Sequence, residues 1–235
     1  MDRITTAQNQ VHQVETDGKP MPEGQVVAFE QRLRRGGDWM LHEASAYFGG
    51  GGHLRATLRR LLERLETAGI RYALLGGLAL AAHGYPRLTE DIDLLLTPEG
   101  LERFHERLLG RGYRLAFEGA KKTFRDTETG VRLEILTTGE YPGDGRPKPV
   151  AFPDPGAPGV TVDRGGIRVI VLERLIELKL ASGMTAPHRL RDLADVQDLI
   201  GRLDLPVGLA ERLDASVAVR YRELWQQMQG GERSG

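Results

Sequence analysis

Residues 74–96 read Leu-Leu-Gly-Gly-Leu-Ala-Leu-Ala-Ala-His-Gly-Tyr-Pro-Arg-Leu-Thr-Glu-Asp-Ile-Asp-Leu-Leu-Leu, and the fold turns on this stretch. The apolar run from Arg71 to Leu75 predicts a short buried strand, Gly77 to His83 a helix, and Ile92 to Leu96 a second strand. Gly76-Gly77 between the first two leaves bare backbone N–H groups at a helix start, which is an anion site or simply a tight turn. Asp91 and Asp93 open the second strand at a spacing of two, so both carboxylates share one face with Cα atoms about 7 Å apart. Like charges this close repel, and a divalent ion relieves them. Mg2+ held by one or two carboxylates plus substrate phosphates suits the pair, the other reading being an Asp-rich turn at a strand entry. Just upstream, Arg87 and Thr89 offer a charged donor and a hydroxyl to phosphate oxygens, unless Arg87 only neutralises Glu90 or Asp91.

Outward from this stretch the elements alternate, which predicts an α/β architecture. On the N-terminal side, Leu54, Leu58, Leu61, Leu62 and Leu65 recur at helical spacing, and Gly69 stops that helix. On the C-terminal side, Pro98 begins a helix whose apolar face is Leu101, Phe104 and Leu108. Tyr113 to Phe117, Lys121 to Asp126 and Val131 to Leu136 alternate as strands, the last two forming a hairpin around Thr127 to Gly130. A proline-rich loop, 139–159, is long enough to suggest a functional role. Strand pieces follow at Val160 to Val162 and Ile167 to Val171, then helices near Leu172 to Ser182, Arg189 to Gly201 and Pro206 to Gln229. The expected division is a loosely ordered extension over residues 1–52, a core over 53–171 and a helical part over 172–235.

The chain has 235 residues, 33 acidic against 32 basic, and no cysteine, so disulfide frameworks, zinc ribbons, iron–sulfur clusters and a Cys nucleophile are excluded. All but five of the basic residues are arginines, and the near-neutral total argues against indiscriminate binding to a polyanion. Met1 to Gln10 is polar, unlike a secretory signal, and the longest apolar stretch, Ala73 to Ala82, is about half of a membrane span. A cytoplasmic location away from membranes is expected. His83, ending an apolar helix before Gly84, reads as a satisfied helix-end histidine rather than a base. In Leu172 to Leu180, Lys179 falls on the apolar stripe of Leu172, Leu175 and Ile176, where it either pairs or points its ammonium at a phosphate. Asp192 and Asp195, three apart on one helical face, are placed to hold it.

Together, Gly76-Gly77, Arg87, Thr89 and the Asp91-x-Asp93 strand resemble the nucleotidyltransferase superfamily with the DNA polymerase beta palm fold, specifically its bacterial AbiEii/AbiGii-toxin-like branch. The resemblance spans about residues 53–203. It implies a small mixed sheet with flanking helices, and an enzyme moving a nucleoside monophosphate from an NTP such as ATP to a hydroxyl acceptor. It implies Gly76, Gly77 and Lys179 at the nucleotide, where the residue chemistry also sets Arg87 and Thr89, and two Mg2+ ions, with Mn2+ able to substitute, on Asp91, Asp93 and a third carboxylate. For that third acid the candidate is Glu134, which shares a strand face with Arg132 and Leu136. Its rival is Asp126 at the hairpin end, and the other reading of Glu134 is a surface ion pair with Arg132 or Lys122. The family's Lys-bearing helix and Arg-Asp-x-x-Asp helix match Lys179 and Arg191 to Asp195, which implies an orienting role for Asp192 and Asp195. The branch further implies a toxin acting on an RNA 3′ end with a cognate antitoxin. An antibiotic-modifying transferase and a catalytically silent nucleotide-binding module are the alternatives.

Overall fold

In the computed structural model, which describes residues 51–231 apart from Pro86 and Leu88, Leu94 and Leu95 are both fully buried. Successive strand residues point to opposite faces, so strand β2 (Asp91–Leu96) is covered on both sides beyond Asp93. The N-terminal extension expected over residues 1–52 lies, up to residue 50, outside the described residues.

Helix α1 (Gly51–Thr67) buries Leu54, Leu58, Leu61 and Leu65, and Gly69 ends it at φ +66°. Strand β1 (Ala73–Leu74) and helix α2 (Gly76–Ala82) precede β2. Helix α3 (Pro98–Arg107) follows, its start fixed by proline and by the Thr97 hydroxyl, which accepts from the Gly100 N–H at 3.0 Å. Strands β3 (Tyr113–Leu115), β4 (Thr123–Asp126) and β5 (Arg132–Thr137) come next, the last two forming the expected hairpin. After the proline-rich loop come β6 (Thr161–Asp163) and β7 (Arg168–Ile170). The seven strands form one mixed sheet in the order β3-β4-β5-β2-β1-β7-β6. Its parallel pairs are β2 with β5 and β1 with β7.

Helices α4 (Leu172–Thr185), α5 (Leu190–Leu203) and α6 (Ala215–Gly231) complete the chain. Their Ile176, Val196, Leu199 and Tyr221 join the same hydrophobic cluster as the sheet. One expectation fails here. The single helix read over Pro206 to Gln229 is a 3-10 helix, Val207–Arg212, followed by α6. The cause is Asp214, whose N–H donates to Glu177 Oε1 at 2.8 Å while its Oδ1 accepts from the Ser216 N–H and hydroxyl at 2.9 and 2.6 Å. Such a side chain caps a new helix and prevents the old one from continuing. Among the described residues no helix is long and apolar enough to cross a membrane.

Asp126 anchors the hairpin to α1. Its buried carboxylate accepts from Arg60 at 2.9 Å and from the Glu128 and Thr129 N–H groups at 3.0 and 2.8 Å. Burial pushes this carboxyl up, but the Arg60 guanidinium and the Thr129 and Glu128 donors outweigh it and hold it below its ordinary 3.8. Its stabilisation is therefore complete above that pH and is lost as pH falls through the lower folded value. Asp126→Asn should cost about 2–3 kcal/mol in urea unfolding at pH 7. The cost should shrink in acid as the wild-type carboxyl protonates, and an unchanged cost at pH 2 would contradict the assignment.

Candidate active site

Parallel pairing sets Asp91 opposite Arg132 and Asp93 opposite Glu134, so all four side chains stand on one sheet face. The expected alternation is present: Leu133 and Ile135 are buried on the other face, while Arg132, Glu134 and Leu136 are partly exposed with the acids. The Arg132 guanidinium reaches Glu134 Oε2 at 3.2 Å and Asp91 Oδ2 at 3.5 Å. Glu134 is thus both the cross-strand neighbour of Asp93 and the ion-pair partner of Arg132, while Lys122 pairs with Glu140 instead. Asp93 keeps slight contact with solvent, but protein surrounds most of its carboxylate. Burial, then Glu134 and Asp91, push the Asp93 carboxyl up to about 6, with Lys179 and Arg132 opposing.

The Gly-Gly turn has a steric cause. Gly76 sits at φ +61°, and a Cβ built there would lie 1.7 Å from Asp93 Oδ2. The carboxylate occupies the space a side chain would need, and the Leu75 N–H donates to the Asp93 carbonyl at 2.9 Å. A Cβ on Gly77 would lie 2.7 Å from Thr89 Cβ, so Thr89 packs onto the turn while its hydroxyl donates to the Asp91 carbonyl at 3.2 Å.

Helix α4 carries Lys179 over this face, and the lysine is buried. Its ammonium donates to Asp192 Oδ1 at 2.9 Å and to Asp195 Oδ2 at 2.6 Å, so both acids of α5 hold it. Ser182 donates to the second Asp192 oxygen at 2.7 Å. Arg87 also ends on Asp195 Oδ2, at 2.6 Å, rather than on Glu90 or Asp91. His83 closes α2 with its ring Nε2 2.7 Å from the Ile170 carbonyl, and burial lowers its pKa. It is a satisfied structural histidine, as its position predicts.

A cavity of about 280 Å³ brings Gly76, Asp93, Glu134, Lys179 and Asp192 together. Arg87, Thr89, Gly77, Asp91 and Asp195 do not line it; they stand behind or beside the groups that do. The proline-rich loop supplies Glu140, Tyr141 and Phe152 to the wall, α4 supplies Ser182, and the 3-10 turn Pro187–Arg189 that follows supplies Arg189. None of these five is marked as a site residue by a motif of its own, although the length of the loop is a signal. A larger cavity of about 380 Å³, between α1 and β7, contains no acid of β2 or β5. Asp126, the rival third carboxylate, is spent on the hairpin and Arg60.

As they stand, no three His, Asp or Glu side chains among the described residues are gathered tightly enough to hold an ion. The donor chemistry nevertheless fits Mg2+: hard oxygens from Asp91, Asp93 and Glu134 on one face, with the Asp93 carboxyl pushed up by burial and then by its two acidic neighbours.

Residues 51–209 match the family described as uncharacterised nucleotidyltransferases. Among curated proteins no significant match is found. Three solved structures illustrate the remoter likenesses. A protein of H. pylori assigned as a nucleotidyltransferase is 16% identical at a TM-score of 0.42, covering 75% of this chain and 93% of its own. ANT(2")-Ia, solved with adenylyl-2"-tobramycin, is 15% identical at 0.40, covering 73% and 98%. An antigenic nucleotidyltransferase-like protein from Paracoccidioides brasiliensis is 16% identical at 0.38, covering 71% and 77%. At that level of similarity they bear on neither substrate nor residue roles.

Because Asp93 titrates near 6 in the fold and near 3.8 unfolded, its charge opposes folding. The penalty is absent below pH 3.8, grows across that interval and is complete above about 6. In metal-free protein, Asp93→Asn should therefore raise stability at pH 7 by about 1 kcal/mol, or about 2–4 °C in Tm, and change little at pH 4. A lower Tm at pH 7 would mean that neither burial nor the neighbouring acids penalise the Asp93 charge.

Proposed function

This chain belongs to that family of nucleotidyltransferases, and we propose that it moves a nucleoside monophosphate from a Mg-NTP to a hydroxyl acceptor, releasing pyrophosphate. The observation that carries the reading is the cross-strand pair Asp93–Glu134 beside Asp91, in a cavity that also receives the Lys179 ammonium.

Asp91, Asp93 and Glu134 would hold Mg2+, which when bound neutralises the triphosphate and the departing pyrophosphate. Asp93 is walled by Gly76, so its carboxylate has little freedom to turn away. Lys179, fixed by Asp192 and Asp195, presents an immobile positive charge to a phosphate entering the cavity. Gly76 leaves the room that the Asp93 carboxylate fills, and Thr89 packs on Gly77 and keeps the turn in place. Arg87 acts through Asp195, and so as a positioning residue for Lys179. Glu134 lines the cavity and would accept the proton of an acceptor hydroxyl as its oxygen attacks the α-phosphorus. Charge stabilisation and positioning carry the reaction, as elsewhere in phosphoryl transfer.

The acceptor we assign is an RNA 3′ end, with a cognate antitoxin as protein partner. This rests on the resemblance of the Gly-Gly and Asp-x-Asp motifs to the toxin branch. Incubation with α-labelled NTPs, Mg2+ and either total RNA or hydroxyl-bearing antibiotics separates the acceptors. Label on RNA is expected; label on the antibiotic alone replaces the acceptor, and no label with any acceptor points to a silent nucleotide-binding module. Asp91→Asn and Asp93→Asn should each reduce transfer by about 100-fold or more while the fold persists. Glu134→Gln should do likewise and Asp126→Asn should not. The reverse pattern would make Asp126 the third carboxylate.

A further inference from the structure

Two kinds of cation face the acids of this site, and they are held very differently. Lys179 is buried and gripped by two carboxylates at 2.6 and 2.9 Å, an arrangement that is costly to break. Arg132 is 39% exposed and spans two half-exposed carboxylates, Asp91 and Glu134, at 3.5 and 3.2 Å. Long, solvent-screened contacts of this kind contribute about 0–1 kcal/mol each. The two acids it bridges flank Asp93, which faces Glu134 across the strand pair and lies two residues from Asp91.

We infer that Arg132 is a placeholder cation: its guanidinium spans Asp91 and Glu134 in the metal-free protein and must leave before a divalent ion can take both carboxylates. The inference rests on the proposed metal site and extends it. With the guanidinium between them, Asp91 and Glu134 are drawn towards Arg132, and no three acids converge on a common point. The weakness of each contact makes the placeholder displaceable, and the register of β2 with β5 makes it local, because Arg132 stands directly opposite Asp91. Metal affinity is then set by competition with an arginine of the same sheet. Once displaced, the guanidinium remains beside the site as a free donor for a phosphate oxygen.

The test is Mn2+ binding to the nucleotide-free full chain at pH 7.5, read by the loss of free-ion electron paramagnetic resonance signal. Arg132→Gln should tighten Mn2+ binding by about 3- to 10-fold, the equivalent of the lost competing contacts. Arg132→Lys, which keeps the charge but cannot span both acids, should fall between the two. Arg114→Gln, on the exposed edge strand β3 two strands from β5, is the control for net charge and should change affinity less than twofold, a small effect at about 10 Å. Thermal melts establish that each variant is folded. Unchanged or weaker Mn2+ binding in Arg132→Gln overturns the inference, as does equal tightening by Arg114→Gln. Asp93→Asn separates this failure from that of the metal site itself. If it binds Mn2+ like wild type, the acids are not the ligands and the placeholder falls with them. If it loses Mn2+ while Arg132→Gln is unchanged, only the placeholder falls.

Discussion

Six consecutive pairs join β2 to β5 in parallel, from Asp91 opposite Arg132 to Leu96 opposite Thr137, and the charged groups on the sheet take their position from that register. The apolar half of each strand makes the register stiff. Ile92, Leu94, Leu95, Leu133 and Ile135 are buried almost completely, and a slip of one residue would send them to the opposite faces. Core packing at one end of the pair therefore fixes carboxylate placement at the other. The same constraint explains why the site can tolerate its internal repulsion, since the burial of these apolar side chains outweighs the cost of one crowded acid.

Around this ladder the molecule supplies charge in two layers. On one face of β2 and β5 stand Asp91, Asp93, Glu134 and Arg132, of which Asp91, Glu134 and Arg132 are each exposed over a third or more of their side chains. Behind them, Lys179, Asp192, Asp195, Arg87 and Ser182 form a tighter set that ties α4 to α5 and to the segment before β2. A buried ion pair contributes little net stability against an apolar replacement but punishes the loss of one member heavily. Its value here is positional: it fixes where an ammonium meets the cavity. The proline-rich loop closes the remaining side with Tyr141 and Phe152, held by the Gly139–Phe152 and Phe152–Glu140 backbone bonds.

Much of this is legible in the sequence, for reasons that are local. The apolar runs, Gly76-Gly77, the Pro98 start and the hairpin turn each mark an element through its own residues, and the structure has those elements in those places. Asp91 and Asp93 share a face because a strand has a period of two, and Lys179 meets Asp192 and Asp195 because helical periodicity puts each on an inward stripe. Features that depend on pairing across long separations are not legible. That Glu134 stands beside Asp93 follows from β5 pairing directly with β2 although β3 and β4 come between them in sequence. Gly76 reads as a turn or an anion site, and its actual constraint, the Asp93 carboxylate in the place of a Cβ, requires the third dimension. Asp126 looks like a site acid until its Arg60 and Thr129 partners are seen. Arg87 reads as a phosphate donor, yet its partner lies 108 residues away on α5. The break at Asp214 is not legible because helical spacing continues through it, while the cap that stops the helix depends on Glu177 of another helix.

We propose that Asp91, Asp93 and Glu134 form one cation site serving a nucleotide in the adjoining cavity. Crystals grown with Mn2+ and a non-hydrolysable NTP analogue test it most directly, through anomalous scattering at the manganese edge. The account predicts an anomalous peak in contact with Asp91 and Asp93, and a triphosphate lying between the Gly76-Gly77 turn and Lys179. A triphosphate in the cavity between α1 and β7, or manganese remote from both aspartates, would contradict it.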